Sequence, residues 1–280
     1  MFPGSPDVAE APLPADFTFL QVVDLVRRHG GYDVLDGCWL DTQFSAQVAL
    51  QLTGLAHSLY LVRRLVRQGD LPAVVAPHGM GIYPALVACG CLSEDAAVEL
   101  TFRVGCCLAD MRECGCYALG SVTGLPVEAV LRVADNHQVY LAHHNTPRHF
   151  TLSGEATAVG AALNEALECG AFATREIASD APLHSPLLEC LEARLADIVL
   201  DYRYGEPVFP LMNHLNQDYL RAADIPRFLL KQLHLPVYWE RTYRSLKKSG
   251  VGRYLEVGAG DTLRQFNRWM ETGDLSPFAV

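Results

Sequence analysis

Residues 75–92, VAPHGMGIYPALVACGCL, constrain the chain more than any other stretch. Val74-Val75-Ala76 is an apolar strand end, and the run from Ile82 to Cys89 is small and apolar at helical length. Pro77-His78-Gly79-Met80-Gly81 stands between them, so the backbone must turn sharply from strand to helix. Units of this kind belong to α/β folds, and a G-x-S-x-G version projects a serine hydroxyl from a strained backbone. Here the serine's place is taken by Gly79. Glycine reaches such conformations without the cost of about 1–3 kcal/mol that a residue with a Cβ incurs. The turn is therefore predicted to persist without a nucleophile.

The flanking sequence alternates helices and strands. Residues 16–29 carry apolar pairs at helical spacing, with Asp16 or Thr18 as the cap. Residues 42–67 hold a broad apolar stripe, and residues 94–111 read as a further helix. From 117 to 176 the character changes. A strand at 117–121, a helix after Gly124-Leu125-Pro126, strands at 139–142 and 149–152, a helix at 156–169 and a strand at 173–177 follow in turn. That βαββαβ order is ferredoxin-like. Beyond it, helices are expected to about 198, at 225–233 and at 262–270, with strands at 208–212 and 255–257. The fold class expected is α/β, a mostly parallel sheet with flanking helices and an inserted ferredoxin-like subdomain. Residues 1–115 and 178–280 would form the large, hydrolase-like domain and 116–177 the subdomain.

Several segments in this order resemble one family, the malonyl-CoA:acyl-carrier-protein transacylases and the acyltransferase domains of polyketide synthases. Pro77-His78-Gly79-Met80-Gly81-Ile82-Tyr83-Pro84-Ala85-Leu86 is similar to that family's GHSLGEYAAL. Leu183-His184-Ser185-Pro186-Leu187 resembles F-H-S-P-L, whose histidine is the family's catalytic base. Lys231-Gln232-Leu233 with Pro236-Val237 and Trp239 resembles R-Q-L-x-x-P-V-x-W, and Leu255-Glu256-Val257-Gly258-Ala259-Gly260 resembles the late E-V-G-P-G. Asn145 with Pro147, Leu152-Ser153-Gly154 and the opening Phe2-Pro3-Gly4 also match.

The resemblance assigns positions, and the departures qualify them. Gly79 holds the nucleophile position and His184 the base position, with the backbone carbonyl of Gln232 orienting the base. Ser5 and Met80 match the residues whose backbone N–H groups form the oxyanion hole, a function that survives a change of side chain. His78 precedes the turn as in the family, whereas Ile82 replaces a glutamate. The family's carboxylate-binding arginine precedes a glycine; here that pair is Val104-Gly105, with Arg103 one position early. One residue turns a helical side chain by about 100°, so Arg103 is not an automatic substitute. A dicarboxylic acyl group is thus less supported than a neutral one. In the short N-terminal segment Met1 directly precedes Phe2, and Pro12 and Pro14 read as a linker.

Composition narrows the partners. A formal net charge of −10 argues against nucleic acid, which requires basic patches. Arg63-Arg64-x-x-Arg67 is one candidate basic patch for an acidic carrier protein, but a solvated helix face is the favoured reading. The uncharged residues 71–92 are too interrupted by proline and glycine for a membrane span, and no secretory signal is seen, so a cytoplasmic location is expected. Nine cysteines then read as free thiols. Cys106, Cys107, Cys114 and Cys116 lack paired zinc-site spacing, and Cys89 and Cys91 read as buried packing. No cofactor and no metal are expected. Without a serine Oγ no acyl-serine forms, and losing such a nucleophile costs on the order of a millionfold in rate. The expected function is a noncatalytic homologue that binds an acyl-thioester, an acyl carrier protein or a partner enzyme in a fatty-acid, polyketide or malonate pathway. The alternative is serine-independent transfer or thioester hydrolysis centred on His184.

Overall fold

The computed structural model describes residues 1–4, 14 and 16–273. Asp16 caps α1 (Phe17–Gly30), its carboxylate accepting from the Phe19 amide at 3.0 Å, and Gly31 ends it at φ 63°. A short hairpin follows, β1 (Tyr32–Asp33) with β2 (Cys38–Trp39). Helix α2 (Ala46–Gln68) starts four residues later than its hydropathy predicts, because the Ser45 hydroxyl accepts from the Gln47 amide and fixes the first turn there. After the strand-to-turn segment come α3 (Ile82–Ala88) and α4 (Glu94–Ala109). Pro84 is tolerated in the first turn of α3, where amides have no helical acceptor. Helices α1, α2 and α4 pack against one another, burying Phe19, Val22, Leu52, Leu59, Leu100 and Val104 completely.

Next come β3 (Tyr117–Thr123), α5 (Val127–Asn136), β4 (Tyr140–Thr146), β5 (His149–Glu155), α6 (Ala156–Glu168) and β6 (Ala173–Ser179). The four strands form one antiparallel sheet in the order β4-β5-β3-β6. Every second residue of β3 is buried, and α5 and α6 close on that face over Ala118, Val122, Phe150 and Leu152. The closeness of α6 requires Gly120: a Cβ there would lie 2.8 Å from Val159 and 2.9 Å from Leu163. This is the ferredoxin-like βαββαβ arrangement.

The chain continues through α7 (Glu192–Leu200), β7 (Leu211–Met212), β8 (Tyr219–Leu220), α8 (Ile225–His234), α9 (Trp239–Lys248) and α10 (Thr262–Gly273). Two compact units result. The first comprises Met1–Ala109, Leu191–Leu230 and Leu255–Thr262; the second comprises Asp110–Cys190, Lys231–Tyr254 and the chain from Leu263.

Within the first unit the parallel sheet is narrower than the sequence predicts. The expected strands at 74–76, 208–212 and 255–257 pair only locally. Val75 donates to Pro210 O and Met212 to Val75 O; Phe2 donates to Ala76 O and His78 to Phe2 O; Val257 donates to Met1 O. The bridges Val75–Leu211 and Phe2–Pro77 are parallel. Pro77 and Pro210 each lack an amide donor, so these ladders stop after one or two bonds. Alternation of α and β still places the turn at the end of a parallel pair, as in other open α/β folds.

Candidate functional site

The turn of the first unit forms where the N-terminal segment crosses it. Gly79 has φ 50°, a left-handed value, and begins a single 3₁₀ turn, Gly79–Gly81, that feeds α3. Two other glycines allow the crossing. A Cβ on Gly4 would lie 2.3 Å from the His78 carbonyl oxygen and 3.1 Å from the Met80 nitrogen; one on Gly81 would lie 2.2 Å from the Phe2 oxygen. The Phe2-Pro3-Gly4 segment is thereby held against the backbone of His78–Met80. His78 is buried. Ser5, the other backbone position the family resemblance assigns, lies outside the described residues.

Beside the turn lies a cavity of about 20 Å³ lined by Gly4, Met80, Tyr83, Gln51 and Ser58 of α2 and Thr101 of α4, among others. Arg103 does not line it. Its guanidinium bonds Asp201 at 2.6 Å and the Tyr202 hydroxyl at 3.3 Å, and the bond to Asp201 raises its pKa further. Val104 is fully buried. The basic run on α2 is likewise engaged: Arg63 pairs with Glu94, Arg64 reaches the Tyr60 hydroxyl and Arg67 donates to Thr18. Cys89 and Cys91 are buried, and burial pushes their thiols up to about 12 and about 11, so neither forms a thiolate near neutral pH.

His184 belongs to the second unit and is 5% exposed. Its φ of 57° is unusual for a residue with a Cβ. Two contacts with one backbone stretch hold it there: the His184 amide donates to Leu233 O at 2.8 Å, and Nδ1 lies 2.7 Å from Gln232 O. A carbonyl only accepts, so Nδ1 carries the proton and the neutral ring has its lone pair on Nε2. That is the tautomer a general base uses. The His143 ring stands 4.8 Å away, tilted by 60°. Strand β4 carries His143 to this place by pairing with Val237: Val237 donates to Ala142 O and His144 to Val237 O.

Sequence reasoning singled out neither Gln51 nor His143. Gln51 is one polar residue in an otherwise apolar turn of α2, and its Oε1 is buried without a hydrogen-bond partner. Its only sequence signal is that interruption. For His143 the signal was the pair His143-His144 just before Asn145.

Comparison with known proteins gives the family and the fold. Residues 14–242 match the family described as the acyl transferase domain. The malonyl CoA-acyl carrier protein transacylase of Bacillus subtilis (strain 168) is 29% identical over 243 residues, covering 83% of this chain and 75% of that protein. The polyketide biosynthesis protein ThaF of Burkholderia thailandensis is 27% identical over 227 residues, 81% of this chain but 19% of ThaF. Among solved structures, a malonyl-transacylase bound to its type II polyketide synthase acyl-carrier protein superposes with a TM-score of 0.84 at 26% identity, covering 97% of this chain and 92% of the other. The α/β architecture is that of the malonyl transacylases, and both the Gly79 turn and His184 fall inside the matched span. The chain belongs to the acyl transferase domain family.

Proposed function

We propose that this chain binds an acyl-thioester, carried by coenzyme A or an acyl carrier protein, without forming an acyl-enzyme. The observation that carries the reading is Gly79 at φ 50°, at the head of α3. A positive φ at this turn is what a nucleophile elbow requires, and glycine there offers no hydroxyl. The nearest alternative nucleophiles by sequence, Cys89 and Cys91, are buried thiols held protonated. The relatives named for malonyl transfer to an acyl carrier protein support such a carrier as the partner class, in a fatty-acid or polyketide pathway.

A second reading rests on His184. Its Nδ1 lies against the Gln232 carbonyl, the tautomer in which Nε2 is the basic nitrogen of the ring. Slow thioester hydrolysis is the chemistry such a group supports. One experiment separates the readings. The chain and its His184→Ala variant are incubated with a panel of acyl-CoAs and an acyl carrier protein, and carrier mass and released acid are followed. The binding reading expects neither product above background. Product that disappears in His184→Ala would establish catalysis and overturn it.

A further inference from the structure

The cavity beside Met80 carries an inference about which acyl group is held, and it rests on the acyl-thioester reading above. None of its described lining residues is charged. Besides the Tyr83 hydroxyl and the Gln51 amide, its polar side chains are the hydroxyls of Ser58 and Thr101. Ser58 donates its hydroxyl proton to Val257 O at 3.0 Å, and Thr101 donates its own to Ala97 O at 2.7 Å. Both protons are therefore committed, and these two hydroxyls can offer a further group only their lone pairs. Gln51 Oε1 adds a buried acceptor with no partner. It lies against α4 at Gly105, where a Cβ would come within 2.8 Å of it. Gly105 thus provides the space that Gln51 uses, one residue from the buried Val104.

Such a wall disfavours a carboxylate. No cation among the described lining residues offsets the loss of its hydration. A hydroxyl supplies the donor that Gln51 lacks. At about 20 Å³ the cavity exceeds the roughly 10–15 Å³ that one water needs, and has room for one such group. We propose that Gln51 is a specificity-determining residue and that this cavity takes the neutral, hydroxyl-bearing end of a short acyl chain in place of a carboxylate. A 3-hydroxypropionyl thioester has the three-carbon length of malonyl with a donor at the far end.

Calorimetric titration with 3-hydroxypropionyl-CoA, propionyl-CoA and malonyl-CoA tests this on the full chain and on Gln51→Leu. The expected order is hydroxypropionyl tightest, propionyl about tenfold weaker for the lost buried hydrogen bond, and malonyl weaker still. In Gln51→Leu the advantage of hydroxypropionyl over propionyl disappears. That variant also removes an unpartnered buried oxygen, so its melting temperature should be equal or higher, which guards against a trivial loss by unfolding. Equal affinities for all three thioesters, or malonyl tightest, would overturn the assignment of Gln51 and leave the acyl-thioester reading standing. No binding of any of them would refute that reading itself, and the inference with it.

Discussion

At the scale of single residues, two left-handed positions carry the account, and they differ in chemistry. Gly79 adopts φ 50° without strain because it has no Cβ. His184 adopts φ 57° despite its Cβ, and the backbone at 232–233 holds it through two hydrogen bonds. Gly79 thus carries no such strain, while His184 keeps a conformation costing about 1–3 kcal/mol. Gly79→Ser should restore that cost at the turn. Urea denaturation is expected to show a loss of about 1–3 kcal/mol, read as a lower midpoint with an unchanged slope. A serine variant as stable as the parent would mean that the turn does not impose the left-handed conformation.

At the scale of elements, close backbone approaches set the geometry, and glycines permit them. Gly4 and Gly81 let the N-terminal segment cross the turn, and Gly120 lets α6 lie on β3. Gly120→Leu should therefore separate α6 from the sheet. Overpacking of this kind costs typically about 1–3 kcal/mol, and amide hydrogen exchange should lose protection first across β3 and α6. Helices were legible in the sequence where caps and apolar stripes agreed, as at Asp16, whereas the Ser45 cap that sets the start of α2 was missed. Helix α9 was not, because Lys247, Lys248, Arg241, Arg244 and Glu240 mask the buried row Trp239, Thr242, Tyr243 and Leu246, spaced three, four and seven residues on. The two-residue strands β1, β2 and β8 carry too few residues for a period of two to register. Of the candidate site, the turn and the His184–Gln232 pairing were readable because contiguous motifs encode them. Gln51 was not readable, since its importance depends on which hydroxyl protons of α2 and α4 are already committed.

At the scale of the whole molecule, burial sets the pH range of stability. His57 and His144 have pKa values lowered by burial, so they bind a proton less readily folded than unfolded. Their contribution is present above the ordinary histidine value of 6.5 and is lost as pH falls below it. Asp16 and Glu165, lowered mainly by hydrogen bonds from Tyr60 and from Asn136 and His137, add to the loss at more acid pH. On the alkaline side Cys89 and Cys91 are raised by burial. Their contribution is full below the ordinary thiol value of 9.0 and is lost as pH climbs towards about 12. Buried Tyr83 and half-buried Tyr204 are raised in the same sense. Thermal melts from pH 4 to pH 11 should show a plateau of roughly pH 6.5–9 with declines on both sides. A maximum displaced to the acid side of the histidine range would contradict this.

The chain has the fold of the acyl transferase domain family while Gly79, at its strand-to-helix turn, has no hydroxyl, and that contrast is the claim most directly open to measurement. Paired native and denaturing mass spectrometry of the chain with short acyl-CoAs would test it. A complex in the native spectrum with an unmodified protein mass after denaturation is the predicted result. An acyl increment that survives denaturation, on any residue, would contradict it.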